Sequence, residues 1–61
     1  MKYIEIIKKY YNEEMILWQV TFQIHGQTNF KGDPDINMVG VEDQCMVNDT
    51  VLLEYLNTTY L

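Results

Sequence analysis

One stretch of the chain alternates apolar and polar residues more regularly than any other. Between residues 16 and 24 every second position is apolar: Ile16, Trp18, Val20, Phe22 and Ile24. The positions between the last four of these are polar: Gln19, Thr21 and Gln23. In an extended strand, side chains two residues apart share a face, so this period produces one apolar and one polar face. The pattern predicts that residues 16–24 form the central strand of a sheet with one buried face.

The preceding segment, Lys2–Tyr11, fits two structures. As a helix it would align Tyr3, Ile7 and Tyr10 on one face. As a strand it offers six β-forming residues in ten, and the polar residues 12–14 that follow are short enough for a hairpin connection. We favour the strand, because the central strand needs a hydrogen-bonding neighbour and the nearest segment in sequence usually supplies it.

After the central strand, His25-Gly26-Gln27 predicts a tight turn, since glycine readily adopts the positive φ that such turns need. A three-residue loop would place Phe22 opposite Phe30, in a short third strand from about residue 28 to residue 31. Gly32-Asp33-Pro34-Asp35 would end that strand, because proline cannot donate a hydrogen bond to a neighbour. Residues 36–47 stay open: Met38–Val41 fits either a fourth, edge strand or an ordered loop.

The C-terminal residues predict a helix. Asp49 is placed to cap a helix that begins near Thr50. The apolar positions that would face the sheet are Leu52, Leu53, Tyr55, Leu56 and Tyr60. The predicted fold class is therefore α+β: a small antiparallel sheet of three to four strands, with one C-terminal helix packed on one face. Residues 1–61 are expected to form a single small domain.

Charge is distributed unevenly along the chain. Residues 1–31 carry four lysines and three acidic residues, whereas residues 32–61 carry six acidic residues and no lysine or arginine. Such an acidic half repels nucleic acid and membrane surfaces and attracts a protein with a basic surface. The candidate partner-binding residues are Asp33, Asp35, Glu42, Asp43 and Glu54. A plainer interpretation also stays open, namely that these side chains only keep an apolar protein in solution.

The sequence offers little for catalysis or metal binding. Asp33–Asn37 begins like a calcium-binding loop, but Met38 occupies the sixth position, where the turn needs glycine. His25 is the single histidine and lacks a partner identifiable from sequence, and Cys45 is the single cysteine. We therefore predict no enzyme activity, no catalytic or metal site, and no cofactor.

Size and composition suggest self-association. With 61 residues, 48% of them hydrophobic, the chain has more apolar side chains than so small an interior accommodates, and one cysteine cannot form an internal disulfide. We expect a homodimer. No apolar run approaches the length of a membrane helix and no signal-type segment begins the chain, so a cytoplasmic location is expected, in the host cytoplasm if the protein is phage-encoded.

Alanine, serine and arginine are all absent, which suggests an AT-rich genome. The residues show no family resemblance. The closest class analogy, which rests on size, acidity and coding bias and on no motif, is to the very small acidic proteins with which phages block a host enzyme or defence system. The leading hypothesis is a non-enzymatic interaction module that inhibits or modulates a larger protein, one that binds nucleic acid or takes part in defence. The alternative is a homo-oligomeric structural or regulatory subunit whose acidic residues have no mimicry role.

Overall fold

Three strands, a short 3-10 helix and one α-helix follow each other along the chain. In the computed structural model, which describes all 61 residues, β1 is Tyr3–Asn12, β2 is Leu17–Thr28 and β3 is Pro34–Val41. The 3-10 helix Asp43–Met46 then leads into α1, Asp49–Tyr60. The strands form one antiparallel sheet in the order β1-β2-β3. The predicted fold class is confirmed, with three strands in the sheet.

The central position predicted for the alternating stretch is confirmed. β2 pairs with both other strands, and Val20 and Phe22 are fully buried on the face that α1 covers, here called the helix side. Thr21 points to the opposite face, here called the open face. Ile16 departs from the prediction: it lies in the turn before β2 with φ of 55°, and 75% of it is exposed.

The first segment is a strand, as favoured, and it contains a bulge. Ile6 pairs with Phe22 and Lys8 pairs with Thr21, so Ile7 is the extra residue on β1. One extra residue reverses which side chains face each side of a sheet. The bulge therefore brings Lys9 to the helix side, where its ammonium group lies 2.7 Å from the Asp49 carboxylate.

The turn predicted at residues 25–27 is wrong. β2 continues through Gly26, which has φ of 92° and adjoins an irregularity in the pairing of β2 with β3. The chain reverses at residues 29–33 instead, where the Asn29 side chain accepts hydrogen bonds from the backbone amides of Lys31 and Asp33. Such bonds to an asparagine side chain stabilise a turn locally, and Gly32, with φ of 86°, supplies the positive φ within this one.

The predicted third strand is consequently wrong as well. Residues 28–31 end β2 and enter the turn, and Phe30 is 95% exposed. Phe22 pairs with Asn37 rather than with Phe30. The third strand is β3, which begins at Pro34 and contains the Met38–Val41 segment. Proline is tolerated there because the first residue of an edge strand need not donate a hydrogen bond.

The C-terminal helix is confirmed, but its cap is Asn48 rather than Asp49. The Asn48 side chain accepts a hydrogen bond of 2.9 Å from the backbone amide of Val51, and Asp49 is the first helical residue. Leu52 and Leu56 are fully buried against the sheet. The Tyr60 ring packs on Phe22, with centroids 4.9 Å apart.

The core is small for the number of apolar residues in the chain. Seven residues are buried: Ile4, Val20, Phe22, Ile24, Val41, Leu52 and Leu56. Large apolar side chains such as Tyr3, Ile36 and Met38 remain more than half exposed. Neither helical segment is long and apolar enough to span a membrane.

Candidate functional site

Four of the five predicted partner-binding carboxylates lie at the two ends of β3. Asp33 and Asp35 belong to its N-terminal end, and Glu42 and Asp43 follow its C-terminal end. These residues are called the four flanking carboxylates below. Glu42 lies seven positions after Asp35, which corresponds to roughly 23 Å of extended strand. Glu54 lies apart from them, exposed on α1.

At the N-terminal end of β3, the two aspartates have different surroundings. Asp33 is exposed in the turn, where its backbone carbonyl accepts a hydrogen bond from the amide of Asn29. Asp35 is half-buried on the helix side, and its carboxylate accepts hydrogen bonds from the side chains of Gln27 and Asn37. Neutral amide donors hold the Asp35 carboxylate in place but leave its charge uncompensated.

At the C-terminal end of β3, both acidic side chains are exposed. The Asp43 carboxylate accepts a hydrogen bond of 2.9 Å from the indole nitrogen of Trp18. The Glu42 carboxylate accepts one of 3.1 Å from the side-chain amide of Gln44. Here too the hydrogen-bond partners are uncharged, so neither exposed carboxylate has a basic group beside it.

Basic groups approach only two of the nine acidic side chains. Lys9 pairs with Asp49, and the His25 ring lies 2.7 Å from the Glu5 carboxylate. The other seven carboxylates make no ion pair. Most of the negative charge of this protein is therefore not neutralised by ion pairs within the chain and is available to a partner.

The sequence did not identify two further residues of the acidic surface. Glu13 and Glu14 lie in the turn between β1 and β2, at the same end of the sheet as Glu42 and Asp43. β1 and β3 run on either side of β2, about 10 Å apart. A count of charge along the chain places Glu13 and Glu14 in the first half and Glu42 and Asp43 in the second. Only the pairing of the strands brings all four to one end of the sheet. The signal was available in the sequence, because residues 12–14 were expected to form a hairpin connection.

The outer edge of β3 is unprotected along residues 36–41. β3 pairs only with β2, and neither helical segment packs extensively against it. Residues 36–41 carry no charge, and the side chains of Ile36 and Met38 are 54% and 62% exposed. An edge strand presents a row of unpaired backbone amides and carbonyls, which proteins usually protect with charged residues, proline or bulges.

The opposite edge of the sheet has those protections. β1 contains the bulge at Ile7, and charged side chains occupy Glu5, Lys8 and Lys9 within the strand. Bulges and lysines both discourage pairing with a further strand. The two edges therefore differ, and residues 36–41 of β3 form the less protected one.

The open face of the sheet carries a mixture of aromatic, apolar and polar side chains. Tyr3 stacks on His25, with ring centroids 4.5 Å apart, and the ammonium group of Lys8 lies 5.5 Å from the centre of the Tyr10 ring. Gln19, Thr21 and Gln23 occupy β2 on this face. With Ile36 and Met38 on β3, the open face is a broad, partly apolar surface that no element of the chain covers.

The residues considered from the sequence as catalytic or metal-binding candidates lie in separate parts of the fold. His25 has the Glu5 carboxylate beside it, a partner that the sequence did not suggest. Cys45 is half-buried and packs against the core from the 3-10 helix. Asp33–Asn37, considered as a calcium loop, forms the end of the turn and the start of β3. No group of three or more histidine, cysteine or acidic side chains is placed to share a metal ion.

Comparison with known proteins adds no relative. No protein-family model, no curated protein and no solved structure matches this chain.

Proposed function

We propose that this chain is a non-enzymatic interaction module that binds a larger protein with a basic surface and inhibits or modulates it, in the manner of small phage-encoded proteins. The observation that carries the proposal is the outward charge of the molecule. Seven of its nine carboxylates make no ion pair, and four of them flank a single exposed strand. Opposite charges speed the encounter of two proteins and select the partner.

The kind of partner follows from the same charge. A negative surface repels phosphates, so nucleic acid itself does not fit. It fits instead a basic surface such as one that binds nucleic acid, and occupying that surface would block it. The chain exposes 4469 Å², and a typical interface covers about 800 Å² per partner, roughly a fifth of that area.

The first test is retention of a partner at increasing salt. The tagged protein is incubated with lysate of its native cells and washed at stepped ionic strength, and a retained protein is then purified and titrated directly. We expect one basic protein that dissociates as salt rises, because salt screens exposed charges. Retention that salt does not change would contradict the electrostatic mechanism.

Charge-neutralising variants make the test specific to residues. E42Q/D43N and D33N/D35N each remove two charges and keep side chains that accept hydrogen bonds. Each is expected to weaken binding of the purified partner by tenfold or more. The matched control is E5Q/E54Q, which removes the same formal charge at two positions that lie on β1 and α1 rather than at either end of β3. An equal loss in all three variants would indicate that only net charge matters.

The open face favours self-association as a second candidate function. Tyr3, Tyr10, Ile36 and Met38 leave apolar surface uncovered there. We propose a homodimer through this face, which leaves the acidic ends of β3 free for a partner. If assembly is itself the function, light scattering will give an oligomeric mass that salt does not change. Tyr10→Lys would then abolish both assembly and activity, whereas the charge-neutralising variants would leave both unchanged.

A further inference from the structure

The free edge of β3 and the charges at its ends together describe one kind of ligand. The edge offers backbone donors and acceptors along residues 36–41, none of which carries a charged side chain. The four flanking carboxylates stand at both ends of that uncharged stretch. A peptide that adds to a sheet edge gains affinity from main-chain hydrogen bonds and specificity from its side chains.

We propose that β3 binds an extended basic segment of the partner as a fourth strand of the sheet. The inference rests on the proposed function, since it names the part of the basic partner that is bound. The segment has an uncharged middle whose amides pair with β3, and lysine or arginine at both ends. Its basic residues are about seven positions apart, because Asp35 and Glu42 have that spacing on β3.

The charges also argue against a second copy of this chain at the same edge. Two β3 strands pairing antiparallel around a two-fold axis would bring Asp33 and Asp35 of each chain towards Glu42 and Asp43 of the other. Lys31 is the single basic residue near this edge. Like charges in close apposition oppose association, and a basic strand meets the same carboxylates favourably.

The side chains of β3 indicate which residue types fit in the middle of the bound segment. Ile36 and Met38 lie on the open face, and Asn37 lies on the helix side opposite Phe22. Cross-strand neighbours on one face contact each other, so apolar residues of the bound strand belong beside Ile36 and Met38. Polar, hydrogen-bonding residues belong beside Asn37. Opposite residues 36–38, the bound segment therefore alternates apolar and polar residues.

The test uses the whole chain and synthetic peptides. The probe is Lys-Lys-Thr-Val-Thr-Val-Thr-Thr-Lys-Lys, blocked at both ends, which has basic ends seven positions apart in either orientation. The control peptide has the same side chains, with its four central amides N-methylated so that they cannot donate hydrogen bonds. Affinity is measured by fluorescence anisotropy, and binding is located from amide chemical shifts and hydrogen exchange.

The unmethylated peptide is expected to bind at least tenfold more tightly than the methylated one. Amides of residues 36–41 should shift and exchange more slowly when it binds, while those of α1 stay unchanged. E42Q/D43N and D33N/D35N should each weaken binding by fivefold or more, and E5Q/E54Q should not.

The contrary results separate this inference from the proposed function. Equal binding of both peptides would overturn strand addition and leave attraction to a basic partner standing. Shifts confined to β1 or α1 would overturn the assignment to β3. No binding at millimolar peptide would overturn the inference, while salt-sensitive capture of a basic protein would still support the proposed function. Exchange protection of residues 36–41 that rises with protein concentration alone would assign the edge to a second copy.

Discussion

Replacement of Leu56 by alanine is expected to remove a large part of the stability of this protein. Leu56 is fully buried between α1 and the sheet, in a core of seven buried residues. Truncation of a buried leucine to alanine costs about 2–5 kcal/mol, because apolar contacts are lost and a cavity remains. At about 0.05–0.15 kcal/mol per residue, the whole chain has a free energy of unfolding of roughly 3–9 kcal/mol.

The expected loss in the free energy of unfolding for Leu56→Ala is about 3 kcal/mol. If the wild-type value lies near the lower end of its range, the variant should be partly unfolded in water. The measurement is urea unfolding followed by the fluorescence of Trp18, the single tryptophan. A slope of about 1 kcal/mol per molar urea converts that loss into a midpoint about 3 M lower. If Leu56→Ala proves too unstable to titrate, Leu56→Met preserves volume and should cost less than about 1.5 kcal/mol.

The matched control is Thr59→Ala on the same helix, at an exposed position. Its effect should stay within about 0.5 kcal/mol, as for most surface substitutions. A loss below about 1 kcal/mol for Leu56→Ala would refute the packing described above, because it would mean that Leu56 is not enclosed between α1 and the sheet.

Two further stability predictions concern local backbone geometry. Asn48→Ala should cost about 1 kcal/mol by urea unfolding, because the Val51 amide loses its side-chain acceptor; an unchanged midpoint would contradict the role of Asn48 as the helix cap. Gly26→Ala should cost roughly 2 kcal/mol or more, since φ is 92° and a Cβ atom would lie 2.6 Å from the Met1 carbonyl oxygen. Gly32→Ala, with φ of 86° and open space around it, should cost less, about 1 kcal/mol, and equal losses would refute the contact with Met1.

The second hairpin illustrates where sequence reasoning stopped. A glycine followed by polar residues fits a tight turn, and it also fits an irregular position within a strand, because both use positive φ. Gly26 lies within β2, and the backbone of Met1 occupies the space that a side chain at this position would need. Asn29 then holds the actual turn through two side-chain hydrogen bonds. Contacts between segments far apart in the sequence therefore determine where the chain turns, and the local preferences of the residues do not predict such contacts.

The candidate site was predicted in part for a similar reason. Its acidic residues were identifiable from composition alone, but their grouping depends on strand order. Pairing of β2 with β3 places Asp33 and Asp35 at one end of the edge strand and Glu42 and Asp43 at the other. Glu54 belongs to another surface, because α1 directs its exposed side away from the sheet.

Three features can be read from the residues without any structure: the central strand, the terminal helix and the acidic character of residues 32–61. Each follows from a local pattern: a period of two, a helical apolar face, or a count of charges. The tertiary structure alone decided the register of the strands, the site of the second turn and the exposure of one sheet edge. These features arise from pairing between residues far apart in the chain, where the free energy of packing outweighs local preference.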